Sequence, residues 1–204
     1  MKIKICGLSR IEDICCVNIY KPDYIGFVFA ASKRQIDEET ARILKALLDP
    51  SIKAIGVFVN ANAESIVRLA KGGIIDGAQL HGDEDEDFIK ALKSKIDIPL
   101  IKAIRVSSKE RLNQELKIIS KLPVDQVLLD CYNYEEYGGS GKRFNWDYLD
   151  EIDIPYFLAG GICLENLGDA LAKAPYAIDL SSGVESKGLK DIKKIKAVIE
   201  KVRA

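Results

Sequence analysis

Two side chains carry the chemistry of a proton-transfer pair. Cys6 closes the apolar run Ile3–Cys6 and is followed by Gly7 and by Ser9, a candidate helix cap. A thiol there is either a small packing group or a thiolate base; the second role needs cations or a helix start nearby to lower its pKa. Asp130 follows Val127-Leu128-Leu129. At the rim of an apolar interior, desolvation would keep part of it protonated, as a general acid requires. The alternative is a carboxylate that caps the next helix or pairs with Lys142 or Arg143. A thiol and a carboxyl on roughly opposite sides of one mouth would form an acid/base couple.

Around this pair stand groups suited to an anionic ligand. Gly160-Gly161 and Ser181-Ser182-Gly183 leave the backbone bare, so that N–H groups can approach a phosphate. Each alone is turn chemistry; both together, at two successive strand ends, point to a phosphate grip. Arg34, in Ala31-Ser32-Lys33-Arg34, has the planar fork that captures a carboxylate, with a solvated loop charge as the plain alternative. His81 is the only imidazole, and a positioning or hydrogen-bonding role suits it at least as well as that of a base. Asp179 sits at the same strand end as the Ser181 pair. Gly138-Gly139-Ser140-Gly141, inside the long loop from Cys131 to Phe144, reads as a lid or as a plain connector.

These residues mark the ends of a regular series. The apolar runs are Ile3–Cys6, Tyr24–Phe29, Ala54–Val59, Gly77–Leu80, Leu100–Ile104, Val124–Leu129, Tyr156–Ala159 and Ala177–Leu180. They are near-continuously hydrophobic, as expected of parallel strands covered on both faces. Helical spacing lies between them, as in Ile11, Ile14, Cys15, Asn18, Ile19 and in Ile66, Val67, Ala70, with Cys15 and Cys16 read as core packing. Eight units in 204 residues allow about 25 residues each, the least that closes a (β/α)8 TIM barrel. A doubly wound open sheet usually has five or six strands, so closure is favoured. Residues 1–204 read as one domain, and in such a barrel the C-terminal strand ends converge on the active site.

Composition removes other classes. With 30 Lys+Arg against 31 Asp+Glu, the chain lacks the cationic excess that nucleic acid demands. Its longest uncharged run, Ile154–Leu164, is far short of the ~20 residues that span a bilayer. A single His and five cysteines without a C-x-x-C pair fit neither a metal site nor a disulfide framework. No signal peptide is read at the start, and free thiols suggest the cytoplasm. The expected partner is a small phosphorylated molecule, and the chain a monomer or homodimer.

Lys4-Ile5-Cys6-Gly7-Leu8-Ser9-Arg10, with Glu12-Asp13, resembles the opening of the phosphoribosylanthranilate isomerase family of tryptophan biosynthesis. The resemblance continues through Gly26-Phe27-Val28-Phe29, Gly56-Val57-Phe58-Val59-Asn60, Gln79-Leu80-His81-Gly82-Asp83-Glu84 and Lys102-Ala103-Ile104-Arg105-Val106. It reaches Leu129-Asp130, Gly138 to Gly141, Leu158 to Gly161, Asp179 to Glu185 and Gly188-Leu189-Lys190-Asp191, so it spans essentially the whole chain. It implies a cofactor-free Amadori rearrangement, with Cys6 as general base and Asp130 as general acid. It also implies Arg34 on the anthranilate carboxylate, Gly160, Gly161, Ser181, Ser182 and Gly183 on the phosphate, and Asp179 near the bridging amine. Two departures stand out. The family's Ser-Pro-Arg is Ser32-Lys33-Arg34, which should loosen that loop, and its frequent Pro-Gly is Lys187-Gly188. The rivals are the histidine-pathway sugar isomerase, which typically has Asp where Cys6 stands, and a non-catalytic phosphate-binding barrel.

Overall fold

The apolar runs form strands that pair with parallel neighbours. In the computed structural model, which describes residues 1–131, 144–149, 152 and 154–204, eight of them close into a ring. They are β1 (Lys2–Cys6), β2 (Tyr24–Val28), β3 (Lys53–Phe58), β4 (Gly77–Leu80), β5 (Leu100–Val106), β6 (Gln126–Cys131), β7 (Tyr156–Leu158) and β8 (Ala177–Leu180). Each pairs in parallel with the next, and β1 pairs with β8. The expected eight-stranded barrel is the one observed.

Six of the strands are followed by a helix before the next begins: α1 (Ile11–Tyr20), α2 (Glu38–Leu47), α3 (Ala63–Lys71), α4 (Glu86–Lys93), α5 (Lys109–Ile119) and, after β7, α6 (Leu167–Ala172). The chain ends in α7 (Ile192–Arg203), which follows a two-stranded hairpin of β9 (Glu185–Ser186) and β10 (Leu189–Lys190). Only a 3-10 turn, Trp146–Leu149, is described between β6 and β7. The Gly138-to-Gly141 lid, Lys142 and Arg143 lie outside the described residues. Side-chain caps fix most helix starts, as where Asp85 accepts from the Phe88 N–H and Asp191 from those of Lys193 and Lys194.

The start of α1 differs from the expected Ser9 cap. The cap position is Arg10, and Asp13 reaches back to accept the N–H groups of Ser9 and Arg10, both at 3.1 Å. The buried face of α1 is also rotated from the expected one: Ile14, Cys16 and Val17 are buried, while Ile11, Cys15 and Ile19 are exposed. Apolar residues surround this short helix, so periodicity alone did not select its inward side.

Pairing register assigns the barrel interior. The rows Lys4–Tyr24, Gly26–Ile55, Val57–Gln79, Ala103–Leu128, Leu128–Phe157, Phe157–Ala177 and Asp179–Lys4 place those residues on one face. Ile55, Ile101, Ala103, Leu128, Phe157 and Ala177 form the apolar filling of the ring. Two residues along each strand, the same parity brings Cys6, His81, Arg105, Asp130 and Asp179 to the upper mouth.

At the opposite end, a device recurs three times. Asp23, Asp76 and Asp125 each stand immediately before an even-numbered strand, and each accepts the N–H of a residue near the start of the preceding odd strand. The bonds are Ile3 to Asp23 at 3.0 Å, Ala54 to Asp76 at 2.7 Å and Leu100 to Asp125 at 2.8 Å. Each carboxylate also holds a lysine: Lys2, Lys45 and Lys93 respectively. Backbone donors that would otherwise lack a strand partner are thereby satisfied.

Candidate active site

Cys6 is buried at the last position of β1. Its sulfur lies over Gly26 of β2, where an added Cβ would come within 2.5 Å of Sγ. A glycine at 26 is therefore what leaves room for the thiol. Below it on the same strand face, Lys4 has no solvent exposure; its Nζ donates to Asp179 Oδ2 at 2.9 Å, and its charge acts on the Cys6 thiol two residues on. Burial pushes the Cys6 thiol up from its ordinary value, Lys4 and Lys190 pull it down, and Asp179 opposes them. In the unliganded site the balance lies with the protonated thiol. The cations expected to lower its pKa are thus present, but burial outweighs them.

A second group of charges closes the side of the mouth beside Cys6. Arg34 grips Glu185 with both arms, Nε at 2.6 Å and Nη2 at 2.9 Å, and Lys190 reaches the same carboxylate at 2.7 Å. Glu185 and Lys190 face each other across the β9–β10 hairpin, whose turn residues Lys187 and Gly188 both have positive φ, 52° and 80°. Burial works against the Glu185 charge, but Arg34 and Lys190 hold its carboxyl below the usual range. Burial lowers Lys190 despite Glu185. The Arg34 N–H donates to Ser32 Oγ at 3.2 Å, and Gly7 (φ 82°) gives the arginine passage, since a Cβ there would lie 2.4 Å from Arg34 Cδ.

Across the mouth, the environment changes character. Asp130 is buried on β6, with Oδ1 accepting the Cys131 N–H at 2.7 Å. His81 Nε2 approaches Asp130 Oδ2 to 3.3 Å without the alignment of a hydrogen bond, while His81 Nδ1 pairs with Gln79 Nε2 at 2.8 Å. Gly160 (φ 84°) passes directly above: a Cβ on it would meet Asp130 Oδ1 at 3.0 Å. His81 Nε2 and Asp179 Oδ1 are buried without a hydrogen-bond partner. Such orphans in a mouth are groups available to a ligand.

The glycine-rich ends interlock. Gly160 and Gly161 have positive φ, and Gly183 approaches Ile162 so closely that a Cβ would fall 1.9 Å from the Ile162 oxygen. Ser181, Ser182, Gly183 and the two glycines are all half-buried. The Ser181 hydroxyl donates to the Cys6 carbonyl at 3.1 Å, so its side chain is committed to β1. Sequence reasoning missed Lys4, Gln79, Glu185 and Lys190. The first two were legible as polar residues two positions before Cys6 and His81, inside otherwise apolar strands. The pairing of Glu185 with Arg34 joins positions far apart in the chain and carries no local signal.

Among the described residues, no group of His, Cys, Asp and Glu is placed to hold a metal ion, and no helix is long and apolar enough to cross a membrane. Eight parallel strands closed into a ring, with a thiol, a carboxyl and glycine-rich seventh and eighth ends at one mouth, define a TIM barrel. A family model described as N-(5′-phosphoribosyl)anthranilate (PRA) isomerase matches residues 3–201. The chain belongs to that family, and it is an isomerase of tryptophan biosynthesis. A curated relative from Endomicrobium trichonymphae, N-(5′-phosphoribosyl)anthranilate isomerase, is 49% identical over 205 residues, covering 100% of this chain and 98% of the relative. The crystal structure of the phosphoribosyl anthranilate isomerase of Thermotoga maritima is similar at TM-score 0.87 and 32% identity, over 100% of this chain and 98% of that one. Another isomerase structure, in complex with reduced 1-(o-carboxyphenylamino)-1-deoxyribulose 5-phosphate, is similar at TM-score 0.83 and 32% identity, with the same coverage.

Proposed function

We propose that this chain converts N-(5′-phosphoribosyl)anthranilate to 1-(2-carboxyphenylamino)-1-deoxyribulose 5-phosphate with Cys6 as base and Asp130 as acid. Asp130 delivers its proton to the ribose ring oxygen as the C1′–O bond breaks, leaving an iminium between C1′ and the anthranilate nitrogen. Cys6, as thiolate, takes the proton from C2′, and the electron pair moves to give an enolamine. Tautomerisation of the enolamine yields the C2′ ketone. One acid and one base suffice, each contributing about 10²–10⁴-fold in rate.

The remaining groups orient the substrate. Backbone at Gly160, Gly161, Ser182 and Gly183 receives the phosphate, which anchors the sugar away from the reacting carbons. Arg34 receives the anthranilate carboxylate by sharing its guanidinium with Glu185 or exchanging one carboxylate for the other. The unpartnered Asp179 Oδ1 accepts from the bridging amine, and His81 Nε2 fixes a substrate oxygen beside Asp130. A reducing compartment such as the cytoplasm keeps Cys6 in its free thiol form.

The observation that carries this reading is the shared inward parity of Cys6 and Asp130 at the C-terminal ends of β1 and β6. The test is steady-state turnover followed by loss of the anthranilate adduct's fluorescence. Cys6→Ala and Asp130→Ala should each lower kcat by orders of magnitude with melting temperatures near that of the parent. Turnover close to the parent's in either variant refutes the assigned role.

A further inference from the structure

A fully buried lysine is rare, because an ammonium removed from water must recover its hydration from fixed partners. Lys4 is such a residue, with no exposed surface, and the scheme above gives it no task. Its two partners are informative. One is Asp179 in the neighbouring strand, 2.9 Å from Nζ; the other is the Cys6 thiol, the next side chain on the same inward face of β1. A purely structural Lys–Asp pair would stand by itself, since each charge already has its opposite. Here the ammonium also lies next to the sulfur along one strand face, and Asp179 keeps one buried oxygen, Oδ1, without a hydrogen-bond partner.

We propose that Lys4 is the positioning residue of the thiol base: its ammonium, paired with Asp179 on the strand face directly beneath Cys6, is the counter-charge that carries the thiolate when Cys6 gives up its proton. The inference rests on the assignment of Cys6 as base. The proton balance is simple. Cys6 S–H loses its proton to solvent before substrate closes the site, and the sulfur anion then sits against Lys4 Nζ. It regains a proton from C2′ during turnover, returning to the neutral thiol.

The charged groups around Cys6 set the expected signs. Lys4 and Lys190 favour the thiolate, Asp179 opposes it, and Lys190 is itself engaged by Glu185, which Arg34 also holds. Lys4 is therefore the cation on the sulfur's own strand face, whereas Lys190 acts from the hairpin with its charge largely answered. Removing a neighbouring cation typically moves a pKa by about 1–3 units.

The test reads the thiol directly in the substrate-free protein. Iodoacetamide alkylation of Cys6 is measured against pH, with the Cys6 peptide quantified by mass spectrometry because four other thiols are present. In Lys4→Met the midpoint should rise by at least ~1 unit relative to the parent. The ascending limb of kcat/KM against pH should move with it, so that a loss of ~10-fold or more near neutrality recovers at high pH. If Lys4→Met does not fold, the charge-free pair Lys4→Met/Asp179→Asn keeps the shape. There the midpoint still rises, by less, since the opposing carboxylate goes too. An unchanged midpoint in whichever variant folds overturns the proposal, as does an activity loss in Lys4→Met that pH does not restore. Parent-like turnover by Cys6→Ala would instead sink the assignment of the base, and the alkylation profile separates the two failures.

Discussion

The two ends of the barrel use aspartates in opposite ways. At the lower end Asp23, Asp76 and Asp125 each bind a backbone N–H and a lysine, and their side chains remain partly open to solvent. At the upper mouth Asp179 retains an oxygen with no partner, and Asp130 stands 3.3 Å from an imidazole nitrogen that bonds to nothing. The residue type is the same and the strand geometry comparable. What differs is burial: a partly exposed carboxylate has water for any oxygen the scaffold leaves over, whereas the leftover oxygen of Asp179 is buried and waits for a ligand. Two buried polar atoms left without partners, His81 Nε2 and Asp179 Oδ1, each costing about 1–3 kcal/mol, thus stand where substrate can repay them.

The sharpest way to break this contrast is to make the same change at both ends. Asp130→Asn should lower kcat by about 10²–10⁴-fold while thermal unfolding stays near the parent's. Asp125→Asn should leave kcat/KM within about twofold and cost ~1–3 kcal/mol in denaturant unfolding, since Lys93 and the Leu100 N–H lose their anion. Equal kinetic damage from the two would erase the distinction.

Next in size is Gly26→Ala. The added Cβ would press on Sγ at 2.5 Å, so the thiol must leave its position or the strand must move. A displacement of this kind should cost kcat ~10-fold or more at little change in KM, measured under saturating substrate. Arg34→Met should do the reverse, raising KM by about 10-fold or more, because a charge-assisted contact to the ligand's carboxylate is lost.

The smallest effect concerns acid. Burial disfavours the Asp125 charge, but Lys93 and the Leu100 N–H hold its carboxyl below the usual range. Its stabilising contribution is therefore fully present above the unfolded value of ~3.9 and disappears as pH falls through the lower folded value. Urea titrations between neutrality and pH ~3 should show a shallower acid loss for Asp125→Asn than for the parent. An identical slope would show that this carboxylate is not held as its bonds imply.

Most of this architecture could be read from the chain before folding. β4 and β8 occupy the residues expected, and the other strands differ only at their edges. Continuous apolar runs between turn residues leave few alternatives when eight of them recur at even spacing. The mouth residues were legible for the same reason, because a strand end is visible where an apolar run stops. Side-chain partners were not. Arg34 was legible as a carboxylate-binding arginine, but the Glu185 that holds it lies on a hairpin too short to register as strands. The inward face of α1 was misread since Ile11, Cys15 and Ile19 are as apolar as the residues that are buried. The three lower aspartates each precede an even strand, a repeat visible in the sequence only once strand parity is known.

The hairpin turn also limits how this chain can be recombined with its relatives. Lys187 sits at φ 52°, and a proline ring holds φ near −65°, so the Pro-Gly found at the matching place in the family cannot be threaded onto this backbone one residue at a time. A chimera must transplant the whole stretch from Glu185 to Lys190. A point swap would instead reshape the turn and carry Lys190 away from the carboxylate it faces.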